Sequence, residues 1–230
     1  MIAGPNGSGK TTLLRALTGE IAYSGSIRLA GREISTLAPA QLARRRAVLA
    51  QENRIAFPFT VGEIVRLGIT EPGRSDYRGA TRLREALALV GLDGFAGRFY
   101  HELSGGERQR VQLARVLCQI WEPVAEGVAR WLFLDEPVAS LDIRHQLSTM
   151  ELARAYARRG GGVVAVMHDL NLAAMYGDRI HFMKAGRLIA GGRPETVLRD
   201  DLLSEIFGCS LAVGRIPADG IFVLPQSHNS

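Results

Sequence analysis

Residues 4–12 read Gly4-Pro5-Asn6-Gly7-Ser8-Gly9-Lys10-Thr11-Thr12, a spacing suited to cradling a polyphosphate. Glycine at positions 4, 7 and 9 lets the backbone take positive φ and bring N–H groups close to phosphate oxygens. Lys10 can reach β- and γ-phosphates, and the Thr11 hydroxyl can ligate Mg²⁺. A flexible Gly/Ser turn would not require Lys and Thr at that offset. The pattern G-x-x-x-x-G-K-T is that of a Walker A loop. Further on, the apolar run Trp131-Leu132-Phe133-Leu134 ends in Asp135-Glu136. A strand of that kind delivers its first carboxylate to the metal beside the phosphate loop. The next carboxylate, Glu136, suits a general base for the attacking water. Such a pair alone is weak, since strand ends carry turn-forming acids by default; beside a Walker A loop it is strong.

Three further features join these. Leu103-Ser104-Gly105-Gly106-Glu107 puts a serine and two glycines at a helix start, a second N-terminus able to meet an anion. Gln51 closes a strand where its amide can reach both metal and water. His168 follows the apolar run 163–167 and can contact a γ-phosphate, although a lone strand-end histidine is usually structural.

The elements that must position these residues follow from hydrophobic period. Residues 11–18 read as a helix whose N-terminal dipole faces the phosphate, ending at Gly19. A short strand is expected at Gly25–Gly31, a helix at Ala40–Arg46 and a buried strand at Ala47–Gln51. Helices are expected at Val61–Leu67, Thr81–Val90 and Glu107–Gln119, with Glu71–Gly79 as a loop. Trp131–Leu134 and Val163–Met167 are continuous apolar runs, as in strands buried on both faces. A helix over Ile143–Arg158 joins them into a βαβ unit, so the sheet is parallel. Arg179–Lys184 reads as strand, Gly186–Gly191 as strand and turn, and Glu195–Phe207 as one short helix. Ahead of the phosphate loop stand only Met1-Ile2-Ala3, the tail of a strand, since strands usually run about five or six residues.

The βαβ unit makes the expected fold class α/β, and composition fits an ordinary cytosolic globular protein. Of 230 residues 47% are apolar, enough for a sizeable core, and no run approaches the ~20 residues of a membrane span. No signal-peptide pattern opens the chain. Cys118 and Cys209 lack metal-ligand spacing and are expected as reduced thiols packed like small hydrophobes. A net charge of +5 admits nucleotide, nucleic acid or an anionic membrane face without choosing among them.

Walker A, Gln51, Leu103-to-Glu107, Asp135-Glu136, Ser140-Leu141-Asp142 and His168, in that order, resemble the ATP-binding cassette ATPases, and the likeness runs from residue 1 to about 208. The resemblance implies a P-loop NTPase fold with a mostly parallel sheet and an inserted helical subdomain. It divides a single domain, 1–230, into a RecA-like core at about 1–58 and 120–208, helices at about 59–119 and an extension at 209–230. It implies ATP and Mg²⁺ as ligands, with Thr11, Gln51 and Asp135 on the metal and Glu136, His168 and Gln51 in catalysis. It implies a head-to-tail homodimer, in which Ser104, Gly105, Gly106 and Glu107 of one subunit face the nucleotide of the other and Asp142 lies at the dimer contact. Because members usually begin some tens of residues earlier, with strands and an adenine-stacking aromatic, the start is expected to lie upstream and N-terminal strands to be missing. The alternative is a truncated, inactive cassette.

Within that family, Ala47–Gly68, Leu113–Pro123, Leu141–Gln146 and His168–Ala174 look like the ATPase subunit of bacterial haemin importers, relatives of siderophore and cobalamin importers. The insertion Trp121–Arg130 lengthens the segment before Asp135 as that group does, while Val138 stands where threonine is usual. This likeness implies transmembrane permease subunits, a periplasmic haem-binding protein, the cytoplasmic face of the cell membrane and no nucleic-acid partner. Importers of ferric siderophores or cobalamin, and soluble cassette ATPases, are the alternatives. His101, His145, His181 and His228 show no haem-ligation pattern and are expected as surface or packing residues. Arg44-Arg45-Arg46 is expected as a solvated helix face. Ala56-Phe57-Pro58-Phe59-Thr60 is read equally as a docking surface for the membrane subunit or as a packed loop.

Overall fold

A computed structural model of the chain describes residues 1–51, 57–69, 76–217 and 220–227, with backbone alone at 76–78. In chain order, β1 (Ile2–Ala3) leads through the glycine loop into α1 (Lys10–Leu17). The hairpin β2 (Arg28–Leu29) and β3 (Arg32–Glu33) precedes α2 (Pro39–Ala43) and β4 (Arg46–Leu49). Three helices follow: α3 (Val61–Arg66), α4 (Asp76–Leu89) and α5 (Gly105–Gln119). A second hairpin, β5 (Val124–Ala125) and β6 (Val128–Ala129), stands before β7 (Trp131–Asp135), α6 (Ile143–Arg158), β8 (Gly162–Val166) and α7 (Leu170–Tyr176). Last come β9 (Ile180–Lys184), β10 (Arg187–Gly192), α8 (Pro194–Val197) and α9 (Asp200–Phe207).

The main sheet runs β10-β9-β1-β8-β7-β4. All of its pairings are parallel except β10 against β9. Helices lie on both sides of a sheet of this kind, and its central strands are apolar throughout for that reason. Leu132, Phe133 and Leu134 are buried in β7, and Ala165 and Val166 in β8. β7 pairs with β8 from Trp131↔Gly162 to Asp135↔Val166, and with β4 from Arg46↔Trp131 to Leu49↔Leu134. β1 contributes two residues and pairs on both sides, Ile2 with Val166 and His181, Ala3 with Phe182.

Helices α3, α4 and α5 pack on one another through Val61, Ile64 and Val65, through Leu83, Ala86 and Leu87, and through Val111, Ala114 and Leu117. Thr60 caps α3, its hydroxyl accepting from the Glu63 N–H while Glu63 accepts from the Thr60 N–H. Gly68 follows at a close crossing: a Cβ there would sit 2.0 Å from the Arg115 carbonyl oxygen.

Several elements differ from expectation. The strand at 25–31 is the small hairpin β2–β3, and the helix expected to Arg46 stops at Ala43. Arg46 therefore opens β4 instead of a solvated helix face; its Nε is buried without a partner, and burial lowers its pKa. α4 starts at Asp76, so the loop expected at 71–79 is helical from 76, while 71–75 lies outside the described residues. The single helix expected at 195–207 is two, broken where Leu198 and Arg199 leave helical geometry. Pro194 starts the first, and Asp200 and Asp201 favour a fresh N-terminus for the second. The insertion Trp121–Arg130 folds as β5–β6, turned by Glu126 and Gly127 at φ 53° and 72°, a pair of left-handed positions that suits a tight hairpin. Cys118 is buried, which pushes its thiol up to about 12, whereas Cys209 is exposed instead of packed.

Candidate active site

Four neighbouring parallel strands, β1, β8, β7 and β4, point their carboxyl ends to one edge of the sheet. Each is followed there by a polar group: Lys10 beyond β1, His168 beyond β8, Asp135 and Glu136 at the end of β7, Gln51 beyond β4. The crevice outside the carboxyl ends of such strands is where open α/β sheets bind ligands. Asn6, Gly7, Gly9, Lys10, Thr11 and Thr12 line an open cleft of about 770 Å³ there, shared with Gln51, Glu136 and His168.

The glycine loop is built by close approach. Gly4 has φ 146°, and a Cβ on it would lie 2.1 Å from the Met183 carbonyl oxygen of β9. The loop is pinned from the same side by the Gly186 N–H, which donates to the Ser8 carbonyl at 3.0 Å. Gly9, at φ 96°, is the N-cap of α1 and supplies no side-chain cap. The N–H groups of the first turn are thus left to a ligand. Lys10 is buried and donates from Nζ to the Gly4 and Pro5 carbonyls, each at 2.9 Å. Burial lowers its pKa, and the nearby carboxylates of Glu136 and then Asp135 oppose that shift. Ser8 Oγ is buried with no hydrogen-bond partner.

Across the cleft, Thr11 Oγ1 donates to Asp135 Oδ1 at 3.2 Å. Asp135 is buried, and burial raises its pKa; the Thr11 bond opposes the shift and the charge of Glu136 adds to it. Glu136 holds a left-handed backbone at φ 50°, with its N–H on the Val166 carbonyl at 3.2 Å. Its carboxylate is shared: Gln51 Nε2 donates to Oε2 at 2.9 Å, and His168 Nε2 lies 2.5 Å from Oε1. Thr11 and Asp135 are in contact, and with the Gln51 amide they offer oxygens of the hard kind that could hold a magnesium ion.

Of the expected residues the cleft lining brings together Asn6, Gly7, Gly9, Lys10, Thr11, Thr12, Gln51, Glu136 and His168; Asp135 joins through Thr11, Gly4, Pro5 and Ser8 lie outside the lining, and so do Ser104, Gly105, Gly106 and Glu107. Those four start α5, where Ser104 Oγ accepts from the Glu107 N–H and Glu107 Oε2 accepts from the Ser104 N–H. These bonds hold the Glu107 carboxyl below its usual range. Gly106 lies against the Ser140 carbonyl, where a Cβ would come within 3.1 Å. Asp142 caps α6, accepting from the His145 N–H at 2.9 Å.

Two glutamines without an expected role support this region. Gln146 Nε2 donates to the Leu141 and Val138 carbonyls, and Gln109 Nε2 to the Glu136 carbonyl at 3.0 Å. Both act on backbone groups, which leave no mark in residue type or spacing. Among the described residues no group of three or more His, Cys, Asp or Glu is disposed to hold a metal ion. His101, His145 and His181 accordingly form no cluster, and His228 lies outside the described residues. Phe57 is exposed while Phe59 packs on the core; Ala56 lies outside the described residues.

Comparison with known proteins accords with this geometry. The ABC transporter family matches residues 1–139. The Hemin import ATP-binding protein HmuV of Mesorhizobium japonicum is 59% identical over 229 residues, covering 98% of this chain and 87% of that protein. That of Jannaschia sp. is 60% identical over 226 residues, covering 98% and 83%. Among solved structures, cbiO1 from Clostridium perfringens, part of the ABC transporter complex cbiONQ, superposes with TM-score 0.71 at 27% identity, covering 89% of this chain and 80% of that one. The ATP-binding cassette MJ0796, a dimer in a post-hydrolysis state with ADP and Pi, gives 0.73 at 28% identity, covering 84% of each. The phosphate loop, the paired carboxylates and the matched sequence have one reading: the chain belongs to the ABC transporter family and is one of its ATP-binding ATPases.

Proposed function

We propose that this ATPase is the energy-coupling subunit of an importer of haemin. The observation that carries the catalytic part is the joint hold of Gln51 and His168 on the Glu136 carboxylate, opposite Lys10 and the open first turn of α1. For the cargo, the support is identity of 59% and 60% to proteins named for hemin import.

The donor set and the orphaned Ser8 hydroxyl fit a nucleotide with its magnesium ion. Thr11, Asp135 and Gln51 would hold Mg²⁺, which when bound offsets charge on the phosphate oxygens. Backbone N–H groups of the glycine loop and the first turn of α1 would bind the β- and γ-phosphates, and Lys10 would exchange its two carbonyl partners for phosphate oxygens. Glu136 takes a proton from water as the water oxygen attacks the γ-phosphorus. The bond from that phosphorus to the bridging oxygen breaks, and ADP leaves with the electron pair. His168 and Gln51 keep the carboxylate aimed and face the γ-phosphate and the water.

Ser104, Gly105, Gly106 and Glu107 of one subunit would meet the nucleotide of a second copy, with Asp142 beside the dimer contact. ATP then closes the pair and hydrolysis reopens it. Exposed Phe57 would touch a transmembrane permease, and a periplasmic haem-binding protein would deliver the cargo. No helix among the described residues is long and apolar enough to cross a membrane, so attachment at the cytoplasmic face would run through the permease.

Glu136→Gln keeps shape and removes basicity, so turnover should fall ~10²–10⁴-fold with ATP binding retained. Unchanged turnover in a variant that binds ATP would refute the base. For the cargo, a deletion strain should fail to grow on haemin as sole iron source and recover with the gene but not with its Glu136→Gln form. Normal growth on haemin with failure on a ferric siderophore or cobalamin would reassign the cargo.

A further inference from the structure

Glu136 combines an aimed side chain with a strained backbone, a pairing typical of active sites. Its carboxylate must be aimed, yet its backbone sits at φ 50°, a left-handed conformation that is strained for a non-glycine residue. Such a conformation persists where its surroundings over-determine it. The strand side does this in part, because the Glu136 N–H is tied to Val166 of β8. The carbonyl takes a longer bond from the Ala139 N–H, at 3.3 Å within its own turn. The shorter bond, 3.0 Å, comes from Gln109 Nε2, 27 residues distant.

Gln109 reaches across from a stiff support. It lies in the second turn of the fifteen-residue α5, whose next residue, Arg110, donates to the Val90 and Gly91 carbonyls at 3.1 and 3.0 Å. Gln112, one turn on, donates to the Tyr100 hydroxyl at 3.2 Å. Gln109 is not part of the lining of the nucleotide cleft, so its contact with the chemistry runs through Glu136. Misplacing a catalytic group by about 1 Å costs as much as 10²-fold in rate, so one bond on this carbonyl matters.

We propose that Gln109 is the positioning residue that locks the left-handed turn of Glu136, so that the first two turns of α5 set the aim of the catalytic carboxylate. This rests on Glu136 being the base. It also makes one rigid piece of the Ser104-Gly105-Gly106 terminus and the backbone of this subunit's own base.

The test is steady-state ATP hydrolysis by the full-length chain in its transporter complex, with thermal unfolding as a fold control. Gln109→Ala should lower kcat ~10-fold and leave KM for ATP within about twofold. Gln109→Glu keeps the size but has no N–H to donate, and should show the same loss. Added to Glu136→Gln, Gln109→Ala should cost nothing more, since both remove one function. An unchanged kcat, a raised KM at constant kcat, losses that multiply in the double variant, or unfolding of both single variants would each overturn the proposal. If Glu136→Gln alone kept full turnover, the base assignment would fall and take this inference with it. An inactive Glu136→Gln beside a normal Gln109→Ala would sink the positioning role alone.

Discussion

Among the described residues two glycine-rich helix N-termini are finished in opposite ways. α1 begins at Gly9 with no side-chain cap and no acid in its first turn. α5 begins at Ser104 with a complete reciprocal cap, its own Glu107 in the first turn. An uncapped N-terminus leaves its N–H groups and a partial positive charge for an anion, whereas a reciprocal cap uses part of them within the chain. The first would therefore receive an anion without help from another element. The second is a rigid surface whose glycines, Gly105 and Gly106, leave the helix end flat, a shape that suits contact with something held elsewhere. The difference between a receiving and a presenting terminus lies in two positions, Gly9 and Thr12 against Ser104 and Glu107.

Breaking the receiving end should have the largest effect. Gly4→Ala drives a Cβ into the Met183 carbonyl at a backbone angle that alanine resists. ATP affinity, measured by titration on the folded protein, should fall at least ~10²-fold, because phosphate binding depends on the whole loop. Retention of wild-type affinity would show that the loop is not built by close approach. Breaking the presenting end should cost stability instead. Ser104→Ala removes the cap and should destabilise by ~1 kcal/mol, about 2–4 °C in Tm, leaving the affinity of a single subunit for ATP unchanged. A drop in that affinity would mean that both termini receive.

The smallest effect sharpens the contrast, since a receiving site stores a cost while empty. Burial raises the pKa of Asp135 above its ordinary 3.8, so its ionised form is disfavoured in the fold. The sign follows from linkage: stability is lost as pH rises from the ordinary value through the raised one, and the loss persists above. Asp135→Asn should therefore raise the Tm of the nucleotide-free protein slightly at neutral pH, by less than Ser104→Ala lowers it, and the gain should vanish below the ordinary value. A variant that melted lower at neutral pH would show the Thr11 bond outweighing burial. The same variant should hydrolyse ATP poorly.

How much of this was legible in the sequence depended on where each residue stood. The site residues ended apolar runs, so the strands carried Asp135, Glu136 and His168 to one edge without further information. Helix Ile143–Arg158 matches its expected bounds because Asp142 caps it and Gly160 stops it. The resemblance to the cassette ATPases was also legible, because the motifs occur in order. Tertiary context hid the rest. Arg46 looked like the end of a basic helix face, but pairing with Trp131 made it the start of a strand. Phe57 and Phe59 carry the same side chain two positions apart and divide between solvent and core. Gln109 is illegible in principle, since a bond to a carbonyl 27 residues away asks nothing of its target's side chain.

The fastening of Lys10 to the Gly4 and Pro5 carbonyls bears on the end of the catalytic cycle as much as on its start. Two carbonyl oxygens of the loop stand within reach of the ammonium, so a phosphate that departs would not leave the lysine bare. On the proposed reading that would lower the cost of losing a product phosphate, much as a docking berth eases a ship away from the quay it shares.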